Sequence, residues 1–344
     1  MKRLSNMTAI MVFLLMAVSC IYDYPVPVPA GATLDLHFKM ERTVTSGHPV
    51  LNESDINSDR HDIRYVIQAF RLLKNGSFSR EAAAEFIFTK DEIASLDNTV
   101  SIEIDEGTYM FYAWADYVPQ DSTEDNHFNT TQFTDLCLNC DEYHGNTDEK
   151  EAFVGSSVVE VIRYAEDMPV VSDTISLSRV LAKYHIISGD LSKFVNRMKN
   201  RKNDTKAGTG SEVNLDDYLI KITYEPDLFY TSIDLLNGNT PIDGQFGVSF
   251  WSKIKPLNEN EALLGFDHIF IKKDQKSIRA SISVYDKDTT LITTAPVEIP
   301  VSKDTVMSSS GDILTYIKLT GDQAAGEGGI SIDPNFEGEV NIKI

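Results

Sequence analysis

Three cysteines and seven histidines carry much of the reactive chemistry of a 344-residue chain. Cys20 stands out by its position. Lys2 and Arg3 lead into an apolar run from Met7 to Met16, and small residues follow at Ala17, Val18 and Ser19. A basic start, a short apolar centre and a small-residue cleavage site describe a secretory signal peptide. The run is too short for a bilayer-spanning helix, which needs about 20 apolar residues. Ala17-Val18-Ser19-Cys20 resembles the bacterial lipobox, in which the Cys thiol is acylated and becomes the new N-terminus; Ala17 stands where Leu is usual. Cys20 is the expected lipid-attachment residue. Acyl chains contribute about 0.8 kcal/mol per buried methylene, and more than one chain gives a stable anchor.

Cys137 and Cys140 have the C-x2-C spacing that suits zinc, with Asp141, Glu142 and His144 nearby, but no second C-x-x-C completes a site. A loop disulfide or a pair of partly buried thiols is the expectation, with no metal. His61-Asp62 and Asp267-His268 are adjacent acid–base pairs, but no surrounding motif gives either a catalytic role. The chain holds no G-x-S-x-G and no H-E-x-x-H. Gly326 to Gly329 is Gly-rich, but no helix follows to cradle a phosphate. No catalytic residue and no cofactor are expected. Tyr109, Tyr112, Trp114, Tyr117 and Trp251 could stack on sugars, although aromatics in strands mostly fill cores.

The net charge of −21 disfavours nucleic acid and anionic membrane surfaces as partners. Acidic stretches at 121–125 and 148–151 read as solvated loop. His37 and His185 read as surface or capped positions.

The elements that must place these residues are mostly strands. Pro25, Pro27 and Pro29 make 20–31 an extended tether after a signal peptide at 1–19. Leu34, Leu36, Phe38 and Met40 alternate with polar residues, as a half-buried strand does. Asn75-Gly76 marks a turn. Val100 to Ile104 and Tyr109 to Tyr117, joined at Glu106-Gly107, read as an antiparallel hairpin whose second strand is apolar on both faces. Thr174 to Ile187 reads as one strand. Leu191, Phe194, Val195 and Met198 fall at helical spacing after Asp190, and 199–210 is polar and basic like a linker. The second half repeats the pattern, with Ser277 to Asp286 turning at 286–288 into Leu291 to Val301, where Pro296 and Pro300 suit an edge strand. Val340, Ile342 and Ile344 read as a closing strand. The expected fold is all-β: two antiparallel β-sandwiches in series, at 32–189 and 215–344, with a short helix and linker at 190–214.

The lipobox, G-T-Y-M-F-Y-A-W-A-D-Y (107–117), S-L-S-R-V-L-A-K-Y-H-I-I (176–187), E-A-L-L-G-F-D-H-I-F-I (261–271), S-V-Y-D-K-D (283–288) and D-P-N-F-E-G-E-V-N-I-K-I (333–344) resemble an uncharacterised Bacteroides lipoprotein domain family. That family is more loosely similar to the Bacteroidales fimbrial anchor and accessory lipoproteins. The resemblance implies transthyretin-like, Greek-key sandwiches, no enzymatic activity and no cofactor. It implies an outer-membrane lipoprotein, facing the periplasm or the cell surface, that contacts other envelope or fimbrial proteins as an anchor, cap or adhesion component. A surface lipoprotein that binds a glycan or other ligand is the alternative. Stalk subunits of the similar fimbriae are cut by an Arg-specific protease after the first strand. Arg42 offers such a site here, but the apparent closing strand at 340–344 leads to the expectation that the first strand stays in place.

Overall fold

The computed structural model describes residues 31–41, 54–91, 93, 95, 97–141, 143–162, 171–204, 212–226, 229–237, 240–243, 247–271, 275–301 and 313–319. Cys20, Arg42, Glu142, the Gly-rich residues 326–329 and residues 340–344 lie outside them. Strands dominate. The first half carries β1 (Gly31–Glu41), β2 (His61–Arg71), β3 (Ala84–Lys90), β4 (Asp97–Asp105), β5 (Gly107–Pro119), β6 (Phe128–Asn129), β7 (Leu136–Leu138), β8 (Ala152–Val161), β9 (Val171–Arg179) and β10 (Ala182–Ser188). A helix, α1 (Leu191–Asp204), follows. Then come β11 (Tyr218–Tyr224), β12 (Tyr230–Asp234), β13 (Thr240–Asp243), β14 (Ser249–Lys253), β15 (Lys255–Pro256), β16 (Ala262–Ile269), β17 (Ser277–Asp286), β18 (Leu291–Pro300) and β19 (Ile313–Ile317). The all-β expectation holds, and so does the helix on its apolar i, i+3, i+4, i+7 stripe.

Seven strands form one sheet in the order β3-β2-β5-β8-β9-β1-β4. Alternate residues of all seven face a single core, among them Leu34 and Phe38, Tyr65, Ile102, Phe111 and Leu177, with Phe86 packed at its margin. The sheet folds over that core. Phe38 of β1 stacks on Tyr65 of β2 at 4.8 Å, although three strands separate them in the sheet. Asn98 Nδ2 donates to Tyr65 Oη across the same space at 2.7 Å.

The hairpin expected at Glu106-Gly107 is not formed. β4 pairs with β1 at one edge, while β5 lies between β2 and β8. Gly107 turns a corner between distant strands at φ +153°, with Arg71 donating to the Glu106 carbonyl at 2.7 Å. Local alternation is the same for a hairpin and a corner, so only long-range pairing separates them. The sheets are also not purely antiparallel, because β1 runs parallel to β9 and β10 to β19.

Thr174 to Ile187 is two strands, broken at Val180-Leu181. β10 leaves the first sheet and joins β15-β16-β10-β19, pairing Tyr184 with Asp267. β6 and β7, which lie between the two acidic stretches, complete β13-β12-β7-β6. Strands of the first half thus finish sheets of the second, and sheet membership does not change at residue 189. A fourth sheet is β14-β11-β17-β18, with β18 and its prolines at the edge as expected. A second core joins the halves: Val66 and Trp114, on the opposite face of the first sheet, pack with Phe128, Tyr184, Ile222, Phe250 and Ile282. Trp114 meets Phe128 edge-on at 5.0 Å.

Gly155 of β8 lies hard against the backbone of β9. A Cβ there would lie 2.2 Å from the Ser176 carbonyl oxygen, which is backbone and cannot swing away. Gly155→Ala is expected to cost about 1–3 kcal/mol, as overpacking does, read as a lower urea midpoint at unchanged m-value.

Candidate functional site

The segment 143–151 joins the two halves. A 3-10 turn at Asp148–Lys150 starts from Thr147, whose side chain accepts from the Glu149 N–H. Three successive residues of so tight a turn point in three directions, and each finds a charged or ionisable partner far away in sequence.

Lys150 enters the second core. Its Nζ lies 2.5 Å from Asp267 Oδ1 and 2.7 Å from Tyr143 Oη. Asp267 is fully buried. Its Oδ2 also accepts from Tyr143 and Tyr224 hydroxyls at 2.5 and 2.6 Å, and Oδ1 from the His268 N–H at 2.8 Å. Tyr184 Oη extends the chain to Tyr224 Oη. A carboxylate in such a place is tolerable only because a cation and several donors surround it. Burial, and then the Asp267 charge, push the Tyr143, Tyr184 and Tyr224 hydroxyls well above the ordinary phenol range. Burial lowers Lys150, and Asp267 only partly opposes it.

Asp148 pairs with Lys183 Nζ at 2.6 Å and faces His268 Nε2 at 3.8 Å. Burial, followed by Lys183, Arg179 and Lys150, holds His268 well below the usual imidazole range, so it is neutral. Glu149 takes His61 Nε2 at 3.0 Å and His127 Nε2 at 3.1 Å. Burial raises this carboxyl, but the His127 and His61 contacts outweigh it and hold it low. Burial lowers His127. Glu151 receives Arg179 through Nε and Nη2, at 3.1 and 2.6 Å.

The two acid–base dipeptides singled out from sequence therefore meet one short segment. His61 binds Glu149, and His268 lies beside Asp148, while Asp62 accepts from the Asp121 N–H at 2.9 Å. The solvated reading of 148–151 is corrected, because Asp148, Lys150 and Glu151 are buried, whereas Asp121, Glu124 and Asp125 are exposed as expected. Asp125, in the other acidic stretch, binds buried Arg64 at 2.8 Å. Arg64 is held from the other side by both oxygens of Asp116, at 2.9 and 2.7 Å. Buried or half-buried cations thus meet Asp125 of one stretch and Asp148 and Glu151 of the other. His185 is buried against the Phe266 ring at 5.4 Å rather than at the surface, whereas His37 is exposed as expected.

The network's outer end reaches solvent at a cleft of about 620 Å3, lined by Asp55, Asn146, Asp148, Trp251, Lys255 and Phe266. Asn146, at φ +59°, ties its two walls: Nδ2 donates to the Trp251 carbonyl at 3.3 Å, and Oδ1 accepts from the Phe266 N–H at 3.0 Å. Gly145 has to be glycine, because a Cβ would sit 2.4 Å from the Phe250 ring. Of the five candidate stacking aromatics, Tyr109, Trp114 and Tyr117 are core residues. Tyr112 is half-buried beside Phe70 in a second cavity of about 530 Å3, and Trp251 is 50% exposed. Cys137 and Cys140 are free and half-buried, with burial raising both thiols. Among the described residues no group of His, Cys, Asp or Glu is arranged to hold a metal ion, and no helix is long and apolar enough to cross a membrane.

No curated protein matches the chain. Among solved structures it is similar to a DUF1812 protein from Bacteroides thetaiotaomicron VPI-5482, at 13% identity over 84% of this chain and 93% of that one, with a TM-score of 0.46. It is also similar to the fimbrial anchor protein Mfa2 from Porphyromonas gingivalis, at 14% identity over 83% of this chain and 90% of that one, with a TM-score of 0.43. A family model matches residues 28–344, and the chain belongs to that family, DUF6562, a family of unknown function.

Proposed function

We propose that this protein is a non-enzymatic envelope lipoprotein, anchored in the outer membrane through Cys20, that acts as an anchor, cap or adhesion component through contacts with other envelope proteins. The observation that carries the reading is the state of β1. It lies inside the seven-stranded sheet, paired with β4 on one side and β9 on the other, and buries Leu34, Leu36, Phe38 and Met40. Removing a strand held on both sides would bare the core that it covers, which favours its staying in place. Contacts then fall to the sheet edges, where unpaired backbone groups invite a partner. The charged residues of the interior support a non-catalytic role. Lys150, Asp267, Asp148, Lys183, Arg64 and Asp116 are engaged with one another and almost wholly shielded from solvent.

Intact mass of the membrane-extracted protein is expected to show a chain starting at Cys20 and carrying acyl groups. Cys20→Ser is expected to leave the membrane fraction or to persist as precursor. A Cys20→Ser protein that fractionates as the wild type does would end the anchor reading. N-terminal sequencing tests the capping role: a major species beginning at Thr43 and running as an SDS-resistant ladder would mean that β1 is removed.

A further inference from the structure

The sheet β14-β11-β17-β18 has one face in the shared core and one toward solvent. Cross-strand register places Trp251, Lys221, Ser283 and Thr294 in one row across the solvent face. The next row is Lys253, Leu219, Tyr285 and Leu291. Trp251 and Tyr285 lie diagonally across the two rows with ring centroids 5.3 Å apart, and Lys221 Nζ lies 5.6 Å from the Trp251 ring centre. Ser283 Oγ and Thr294 Oγ1 are 3.0 Å apart. A flat, exposed aromatic face with an apolar body and a polar edge suits the C–H face of a sugar ring. Hydroxyls and ammonium groups at its rim supply the polar half of such a contact.

Charge selects among sugars. The chain is strongly acidic, yet three lysines gather round this tryptophan: Lys221, Lys253 and Lys255. Acids on the adjoining cleft are already engaged, Asp148 by Lys183 and Asp55 by the Asp148 N–H at 2.9 Å. We propose that the Trp251–Tyr285 face is a binding site for an acidic saccharide, with Trp251 as the stacking platform and Lys221 and Lys253 as carboxylate or sulfate donors. The site is independent of the anchoring argument and would serve a soluble or a tethered body equally.

The chain has two tryptophans, and Trp114 is buried, so emission changes on binding report Trp251. Full-length protein in detergent is titrated with tetragalacturonate, with a chondroitin sulfate tetrasaccharide and with neutral maltotetraose, by fluorescence and by calorimetry. At least one acidic tetrasaccharide is expected to shift the emission and to bind at least about tenfold more tightly than maltotetraose. Trp251→Ala is expected to weaken that binding by about tenfold or more, and Trp251→Tyr by only a few-fold. Lys221→Gln with Lys253→Gln is expected to weaken it by about fivefold and to remove most of its salt dependence. If Trp251→Ala fails to fold, the lysine pair decides. Silence with both acidic sugars, equal binding of maltotetraose, or full affinity in either the Trp251→Ala or the lysine variant would overturn the proposal.

Discussion

Lys150→Met is expected to lower the unfolding free energy by about 3–5 kcal/mol, because it strands the Asp267 carboxylate in the shared core without its cation. The two side chains are 2% and 0% exposed, so solvent cannot take over the role of the missing ammonium. Tyr143 and Tyr224 still donate to the carboxylate, which moderates the loss without replacing a full charge. Asp267→Asn alone should also be costly, since it leaves Lys150 buried and unpaired while keeping an acceptor for the tyrosines. The double variant Lys150→Met/Asp267→Asn carries no buried charge at this point. Its loss is expected to fall short of the sum of the single losses by about 2 kcal/mol. Urea unfolding of the four proteins gives the cycle, and additive free energies would show that the pair is not coupled.

Much of the fold is legible because its signals are local. Alternation of Ile278, Ala280, Ile282 and Val284 with polar residues fixes β17 and its faces, and Pro296 and Pro300 place β18 at an edge without any knowledge of its neighbour. The corner at Gly107 and the break at Val180-Leu181 are not legible. Both are decided by which strand lies alongside, and Val180-Leu181 contains no breaker, only two side chains buried in the shared core.

The ionic segment was hidden for the same reason. Asp148, Glu149 and Lys150 look like surface residues until Lys183, His61, His127 and Asp267 arrive from elsewhere in the chain. One local signal was available. A-L-L-G-F-D-H-I-F-I puts Asp267 and His268 inside an otherwise apolar strand, and A-K-Y-H-I-I does the same with Lys183 and His185. Ionisable residues in so apolar a strand are affordable only when paired. They therefore call for partners of opposite charge from some other stretch, and the acidic loop that precedes β8 is where to look.

Acidification is expected to loosen this junction first. His268 and His127 are both held below the ordinary imidazole value of 6.5, chiefly by burial. The folded state therefore keeps them neutral where the unfolded chain would take up protons. Stability from this source is complete above about pH 6.5 and is lost as the pH falls, at about 1.4 kcal/mol per pH unit for each histidine still neutral in the fold. His268 lies deeper and faces Lys183, Arg179 and Lys150, so its contribution continues to fall after His127 has taken its proton. Glu149 acts later and with the same sign, since its carboxyl is held below the ordinary 4.5 by His127 and His61. Its contribution is present above that value and disappears as the pH drops through the folded one. Urea unfolding at pH 7.5 and pH 5.0 reads the total. His268→Asn, neutral at every pH, is expected to remove about one proton from the slope, whatever it costs in absolute stability. A variant that loses stability between the two pH values as steeply as the wild type would place the proton uptake elsewhere in the molecule.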